Sequence, residues 1–574
     1  MVFSIAEQRF GGFFSNILRN SREILKNSGG RILLLLALVC VWLAHQPSHI
    51  ALADGVAGAP ESGDANQAGR AGRAAQVGHA ATQTGKAEAT AGKSSAAHIV
   101  EQALAVMGGP GVTERVHIIK TDEHRLTYHL ADSEHSLPPY IPDYGSITQW
   151  VDISVPALRG ESTTAAATGD KSTFEQISRE GFSVVRSTFN GKTSGQRVGL
   201  ESTRWALQNP LLVLLNAAKR SDLRALAPES LFGIEHQRIV FEERGNRVTL
   251  WINSLNNHLD AVDIFGSDSR DIFWHEWGDV TLRSVFSDWH YEAGQLHYPH
   301  QVNIFFNGEL QETHSIDHLS VNPDMANVDM TVPKEGRPTD PERSKIDTIP
   351  LGRPDRPIAE VAPGIVQIPG SWYVTLVRQP DGLVVIDAPI SNGYSAKVME
   401  EAEKRFPGVK IKAVIATTNF WWHIAGLREY AARGIPVWVP EQNVALVRRL
   451  LTSPHTLEPD ALQKSGIKPT VVGISSMRSV GSGDTRMALY PVRTATAQML
   501  MSFFPELKML HTAEMAQPLG PNGSFLFPES LLELQRAVEA NGLQVTSVIG
   551  MHMSPTPWSK IEEALAAAAE HGES

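Results

Sequence analysis

Between Val414 and Gly426 the chain sets one histidine where an imidazole can do chemistry. The β-branched run Val414-Ile415-Ala416 ends in Thr417 and Thr418. Asn419-Phe420-Trp421-Trp422 then leads into His423, which opens a segment of helical character. A histidine at a strand-to-helix junction can bind a metal ion, and α/β folds collect their functional groups at such junctions. The competing role is a local one, with His423 satisfying backbone groups at a helix start. Six further histidines, His275, His290, His297, His300, His314 and His318, lie in a strand-rich region. A metal site needs several imidazoles converging at about 2 Å on one ion, and His275-Glu276 lacks the second histidine of a zincin helix. These six are therefore expected to be solvated strand histidines. Gly473-Ile474-Ser475-Ser476 is no nucleophile elbow, no glycine-rich phosphate loop is present, and the only cysteine is Cys40.

A chain of 574 residues has room for about two to four domains with cores of their own. Its formal net charge of −11 argues against a basic nucleic-acid-binding surface, and Lys and Arg are spread rather than blocked. Near the start, Arg9, Arg19, Arg22, Lys26 and Arg31 precede the apolar run Ile32 to Ala44. At about 13 residues that run falls short of the roughly 20 that span a bilayer. With the small-x-small pattern Ala51-Leu52-Ala53 it predicts a signal peptide over residues 1–53 and a periplasmic or secreted product touching the membrane only during export. The alternative is an uncleaved anchor in the inner membrane. Residues 54–96, rich in Ala, Gly, Ser, Thr and Gln, are expected to form a disordered tether.

Order is expected from Ala97. A helix over His98 to Met107 stops at Gly108-Gly109-Pro110, and a polar loop is expected around residues 160–173. Within Leu200 to Lys219, Asn209-Pro210 reads as a cap and first-turn proline restarting a second helix. From Gln237 the pattern is a β-meander, with Arg244-Gly245-Asn246 and Asn307-Gly308 as hairpin turns. Asp288-Trp289-His290, Tyr298-Pro299, Leu319-Ser320-Val321-Asn322 and Thr331-Val332-Pro333 give residues 97–333 a loose resemblance to outer-membrane lipoprotein-carrier half-barrels. That resemblance implies a curved antiparallel sheet over helices, with an apolar concavity for a hydrophobic or lipid-like ligand. Residues 334–357, rich in Pro, Gly and charge, read as a linker.

Beyond the linker, strands alternate with helices, the pattern of a layered α/β domain over residues 358–574. Val384-Val385-Ile386-Asp387-Ala388-Pro389, the stretch Val414 to Gly426, Phe504-Pro505-Glu506-Leu507-Lys508-Met509-Leu510 and Met551-His552-Met553 resemble successive motifs of the metallo-β-lactamase superfamily. The resemblance implies an αββα sandwich, so the whole chain is expected to be α/β and β-rich. It also implies how far the metal sites have changed. The ligand positions of the family's first zinc fall on Thr418, Phe420 and Ala495; those of its second metal fall on Trp422, His423, Glu514 and His552. Three lone-pair donors are left, His423, Glu514 and His552. The function so implied is a degenerate, non-catalytic binding or scaffolding domain without a cofactor. The alternative is a mononuclear zinc-dependent hydrolase using His423, Glu514 and His552. Convergence of those three beside open space would favour the hydrolase; Phe420 or Trp422 filling that space would disfavour it.

Overall fold

The computed structural model describes residues 84–572, apart from 110, 130–135, 166–170, 180–181, 190–191, 201–203, 268–274, 333–346, 348, 495–497 and 519–523. The expected signal peptide and most of the expected tether lie outside these residues. No helix among the described residues is long and apolar enough to cross a membrane.

Residues 118–321 build one 13-stranded antiparallel sheet. Strand Ile118–Tyr128 sits near its middle, paired with Pro142–Asp152 on one side and with Glu309–Val321 on the other. From there the chain meanders to the edge strand Lys192–Leu200 and crosses through helices Arg204–Gln208 and Pro210–Ala218. It reaches the opposite edge at Arg224–Leu231 and meanders back. The crossing is locally encoded. Asn209 Oδ1 accepts the amides of Leu211 and Leu212 at 3.1 and 3.0 Å, and Pro210 lacks an amide that needs a partner. Leu211 to Leu214 then bury against sheet residues such as Ile239, Phe241 and Val248. Hairpin turns are encoded by backbone preference: Arg244 and Gly245 both have positive φ (48° and 82°), as do Asn307 and Gly308 (47° and 86°), the pairing a two-residue turn requires.

Two expectations fail here. Helix Thr84–Met107 covers residues 84–96, where a tether is expected; this stretch carries two glycines, two threonines and two serines, so it continues the helix of the apolar segment up to Met107 and is not specified by its own propensity. The loop expected around 160–173 is mostly paired strand, Ala157–Ala165 against Lys171–Arg179. Ser, Thr and Glu dominate both, so the apolar alternation that marks a half-buried strand is faint.

Residues 359–557 form two further sheets, one of seven strands and one of six. Leu383 to Ile386 and Ala413 to Ile415 are buried on both faces, which is why they read as continuous apolar runs. Ile386, Ile415, Leu489, Leu500, Phe504 and Ile549 meet between the sheets. On the outer face of the first sheet pack helices Asn392–Arg405, Leu427–Ala431 and Val444–Thr452, through Val398, Leu427 and Leu450. Helices Pro528–Ala540 and Trp558–Gly572 cover the second through Leu531, Leu534 and Ile561.

Segment Ser453–Asp460 ties the two regions together. Asp279, on the large sheet, accepts the amides of Thr456 and Leu457 at 2.9 and 3.0 Å, and its own amide donates to Pro454 O at 2.8 Å. Arg449 pairs with Glu309 and lies over the Trp277 ring.

Candidate metal centre and sheet cavity

Strand Gly382–Ile386 delivers Asp387 with positive φ, 71°. Its buried carboxylate accepts the Thr417 amide and hydroxyl, both at 2.8 Å. Burial pushes this carboxyl up to about 7, and the Thr417 bonds act against that rise. The anchored turn also reaches the other sheet: Leu500 N donates to Thr417 O at 2.8 Å, and Gln498 N to Asn419 Oδ1 at 3.1 Å. His423 follows in the short helix Trp421–Ile424, fully buried.

Glu514 comes from the turn after strand Met509–His511. Ala513, at φ 53°, donates its amide to His511 Nδ1 at 3.2 Å, so His511 shapes this turn as a neutral acceptor; burial pushes it down to about 3. His552 sits in the turn after Ser547–Ile549, where the Gln367 side chain donates to Gly550 O and Met553 O at 3.2 and 2.9 Å. Gly550 is required by close approach, since a Cβ there would stand 2.6 Å from Thr512 Oγ1.

These three turns bring His423, Glu514 and His552 together, with one donor atom from each within 4.8 Å of the other two. His423 Nδ1 is 3.3 Å from Glu514 Oε2, and His552 Nε2 is 3.4 Å from Glu514 Oε1. Burial pushes His423 well below the ordinary imidazole range, with His552 adding to the effect, and burial takes His552 down to about 4. Both imidazoles are therefore neutral near pH 7 and offer lone pairs. Neither ring nitrogen of His423 makes a hydrogen bond, nor does His552 Nδ1, although all three atoms are buried. Orphaned buried nitrogens beside a carboxylate, in a two-histidine, one-glutamate set, fit a single divalent ion.

Aromatic rings crowd the same place. Phe420 lies 6.0 Å from the His423 ring, Trp422 5.8 Å and Trp372 5.7 Å, and Trp372 stacks on Trp422 at 6.4 Å. Phe420 is buried, Trp422 half-buried and Thr418 fully buried, while Ala495 lies outside the described residues. Trp372 and His511 carry no signal in the sequence. Their roles arise only when distant strands meet.

The large sheet holds a cavity of about 690 Å³ under helices Arg204–Gln208 and Pro210–Ala218. Ile147, Val185, Trp205 and Ile304 form apolar parts of its wall, but an ion network stands in it as well. His314 Nδ1 is 2.9 Å from Glu123, its Nε2 is 2.8 Å from Glu312, and Arg125 bonds Glu312 at 2.6 Å. The cavity thus joins apolar walls to a buried ion network. His290 and His318 are exposed, whereas His275, His297 and His314 are buried or nearly so and His300 is only 10% exposed, so these four are not the solvated histidines expected.

No protein-family model matches the chain, and no curated protein does. Among solved structures it is similar to the metallo-β-lactamase from Pontibacter korlensis, at 15% identity over 36% of this chain and 96% of that one, TM-score 0.28. It is similar to the metallo-β-lactamase FIM-1 from Pseudomonas aeruginosa in its mono-zinc form, at 12% identity over 39% and 96%, TM-score 0.29. The sec-alkylsulfatase Pisa1 from Pseudomonas sp. matches at 17% identity over 36% of this chain and 40% of that one, TM-score 0.28. The neighbours are thus metallo-β-lactamases and alkylsulfatases, at low identity and over part of the chain. None of the three supports the lipoprotein-carrier resemblance.

Proposed function

We propose that residues 358–574 form a metallo-β-lactamase-like sandwich that holds one divalent cation through His423, Glu514 and His552 and serves binding rather than hydrolysis. The convergence of these three buried donors carries the reading. A zinc ion bound there would supply Lewis acidity. The surrounding residues work against turnover. Phe420 and Trp422 have no lone pair to offer, so the motif supports no second ion, and their rings take space beside His423 that a substrate would need. Metal analysis of the dialysed protein should find about one equivalent of zinc, lost in His552→Ala, without metal-dependent turnover of lactam, thioester, phosphodiester or sulfate esters. Zinc-dependent turnover abolished by His552→Ala would establish the mononuclear hydrolase instead, a reading favoured by the two-histidine, one-glutamate donor set. A parent protein without metal would sink both.

We further propose that the sheet cavity takes an amphipathic ligand, its apolar part against Trp205 and Ile304 and its polar head at the Glu123–His314–Glu312 network. The mixed lining favours this over a wholly hydrophobic ligand. Dodecylamine should saturably change tryptophan fluorescence, and Ile304→Arg, which sets a like charge in the wall, should weaken binding by about ten-fold or more. Equal binding by both proteins would place the ligand elsewhere. Residues 1–53 support export to the periplasm or beyond as the setting for both activities.

A further inference from the structure

We propose that His290, Glu292 and His300, on the hairpin of strands Asp279–Glu292 and Leu296–Phe306, form a second, solvent-accessible site for a borderline transition-metal cation such as zinc. Strand geometry places them. Residues two apart share a face, so His290 and Glu292 project together. His290 pairs with Tyr298 across the hairpin, which sets His300 diagonally beside it on that same face. One donor atom from each of the three lies within 4.8 Å of the other two.

The rings stack at 4.1 Å with only 13° between planes, so their in-plane lone pairs run side by side, and a shared ion needs the half-exposed His290 ring to turn out of the stack. His300 Nδ1 donates to Ile316 O at 3.2 Å, and Nε2 meets Glu292 Oε1 at 2.8 Å, where a cation would take the place of the proton held between them. A carbonyl on the far nitrogen is the outer contact that orients metal-binding histidines. Asp288 Oδ1, 3.0 Å from His290 Nε2, brings a second carboxylate. Two carboxylates beside two imidazoles match the charge of a divalent ion, and two nitrogen donors select zinc, nickel or copper over calcium or magnesium.

Access separates this site from the one at His423. His290 is 48% exposed, Glu292 20% and His300 10%, whereas His423, Glu514 and His552 are all buried. An ion on the hairpin should therefore exchange with solvent quickly.

The full-length protein is titrated with zinc against a chelating dye, with circular dichroism to verify the fold of each variant. One rapidly exchanging equivalent is expected. It should weaken by about ten-fold or more in His290→Ala and in Glu292→Gln, and persist in His552→Ala. His290→Ala and Glu292→Gln alter partly exposed side chains, so loss of binding with an unchanged spectrum reads the site and not the fold. An exchangeable equivalent unchanged in both variants, or none in the parent, would overturn the proposal. Loss of slowly exchanging metal in His552→Ala reports only on the buried centre, which keeps the two outcomes apart.

Discussion

With Arg428 replaced by methionine, the chain is expected to lose about 3–5 kcal/mol of stability, the scale for breaking a buried ion pair on one side. The Arg428 side chain is 1% exposed. Its Nε and Nη2 donate to the two Asp460 oxygens at 2.5 and 3.1 Å. Nη1 donates to the carbonyls of Leu450, Leu451 and Ser453 at 3.0, 3.1 and 3.2 Å. Leu450 and Leu451 lie in the last turn of helix Val444–Thr452 and Ser453 caps it, with Leu450 O also accepting the Ser453 amide and hydroxyl at 3.3 and 2.8 Å. Methionine keeps much of the aliphatic stem but takes the guanidinium donors from three carbonyls and leaves a largely buried carboxylate with only the neutral Gln463 and Asn392 donors. Burial raises Asp460 and Arg428 offsets that rise, so without the guanidinium the carboxyl must take up a proton or stay charged at a cost. Denaturant unfolding followed by tryptophan fluorescence measures the loss, taken on the transition of the C-terminal region because a chain of this size need not unfold in one step. Arg428→Met with Asp460→Leu should lose less than the two single changes added, since the second removes the stranded charge. A single-variant loss below about 1 kcal/mol, the value of a surface pair, would refute this role.

What the sequence disclosed follows how local each signal is. Asn209-Pro210 and Arg244-Gly245 specify their cap and turn within a few residues, and both are found where expected. Leu383 to Ile386 needs only to be recognised as a doubly buried strand. Strand Lys171–Arg179 hides because its cavity face carries Ser172 and Gln176 beside Phe174, so polar residues occupy both sides of its alternation. The candidate centre is legible only through the resemblance to a family, because convergence of His423 with Glu514 and His552 is a property of three turns brought together by two sheets. His314 shows the limit most plainly. Glu312 is two positions away on the same strand, but its other partner, Glu123, is 191 positions away, and nothing near residue 314 announces that second carboxylate.

That enclosure makes stability depend on pH in a defined way. Burial alone would lower His314, but its bonds to Glu123 and Glu312 raise it to about 9. Burial alone would raise Glu312, but Arg125 and His314 hold it at about 2. A histidine raised in the folded state contributes stability that is full below its unfolded value of about 6.5 and is lost as pH climbs to about 9. A glutamate lowered in the folded state contributes stability present above about 4.5 and lost as pH falls towards 2. The network is therefore strongest between about pH 4.5 and 6.5. On the alkaline side the loss should be on the order of 2–3 kcal/mol, an upper value because the same contacts also hold Glu312 down. Urea midpoints at pH 6 and pH 9 test it: the parent should fall across that interval, and His314→Gln, which keeps a side chain able to hydrogen-bond but carries no charge, should fall much less. An identical fall in both proteins would assign the alkaline instability to other groups and leave His314 neutral between its two carboxylates.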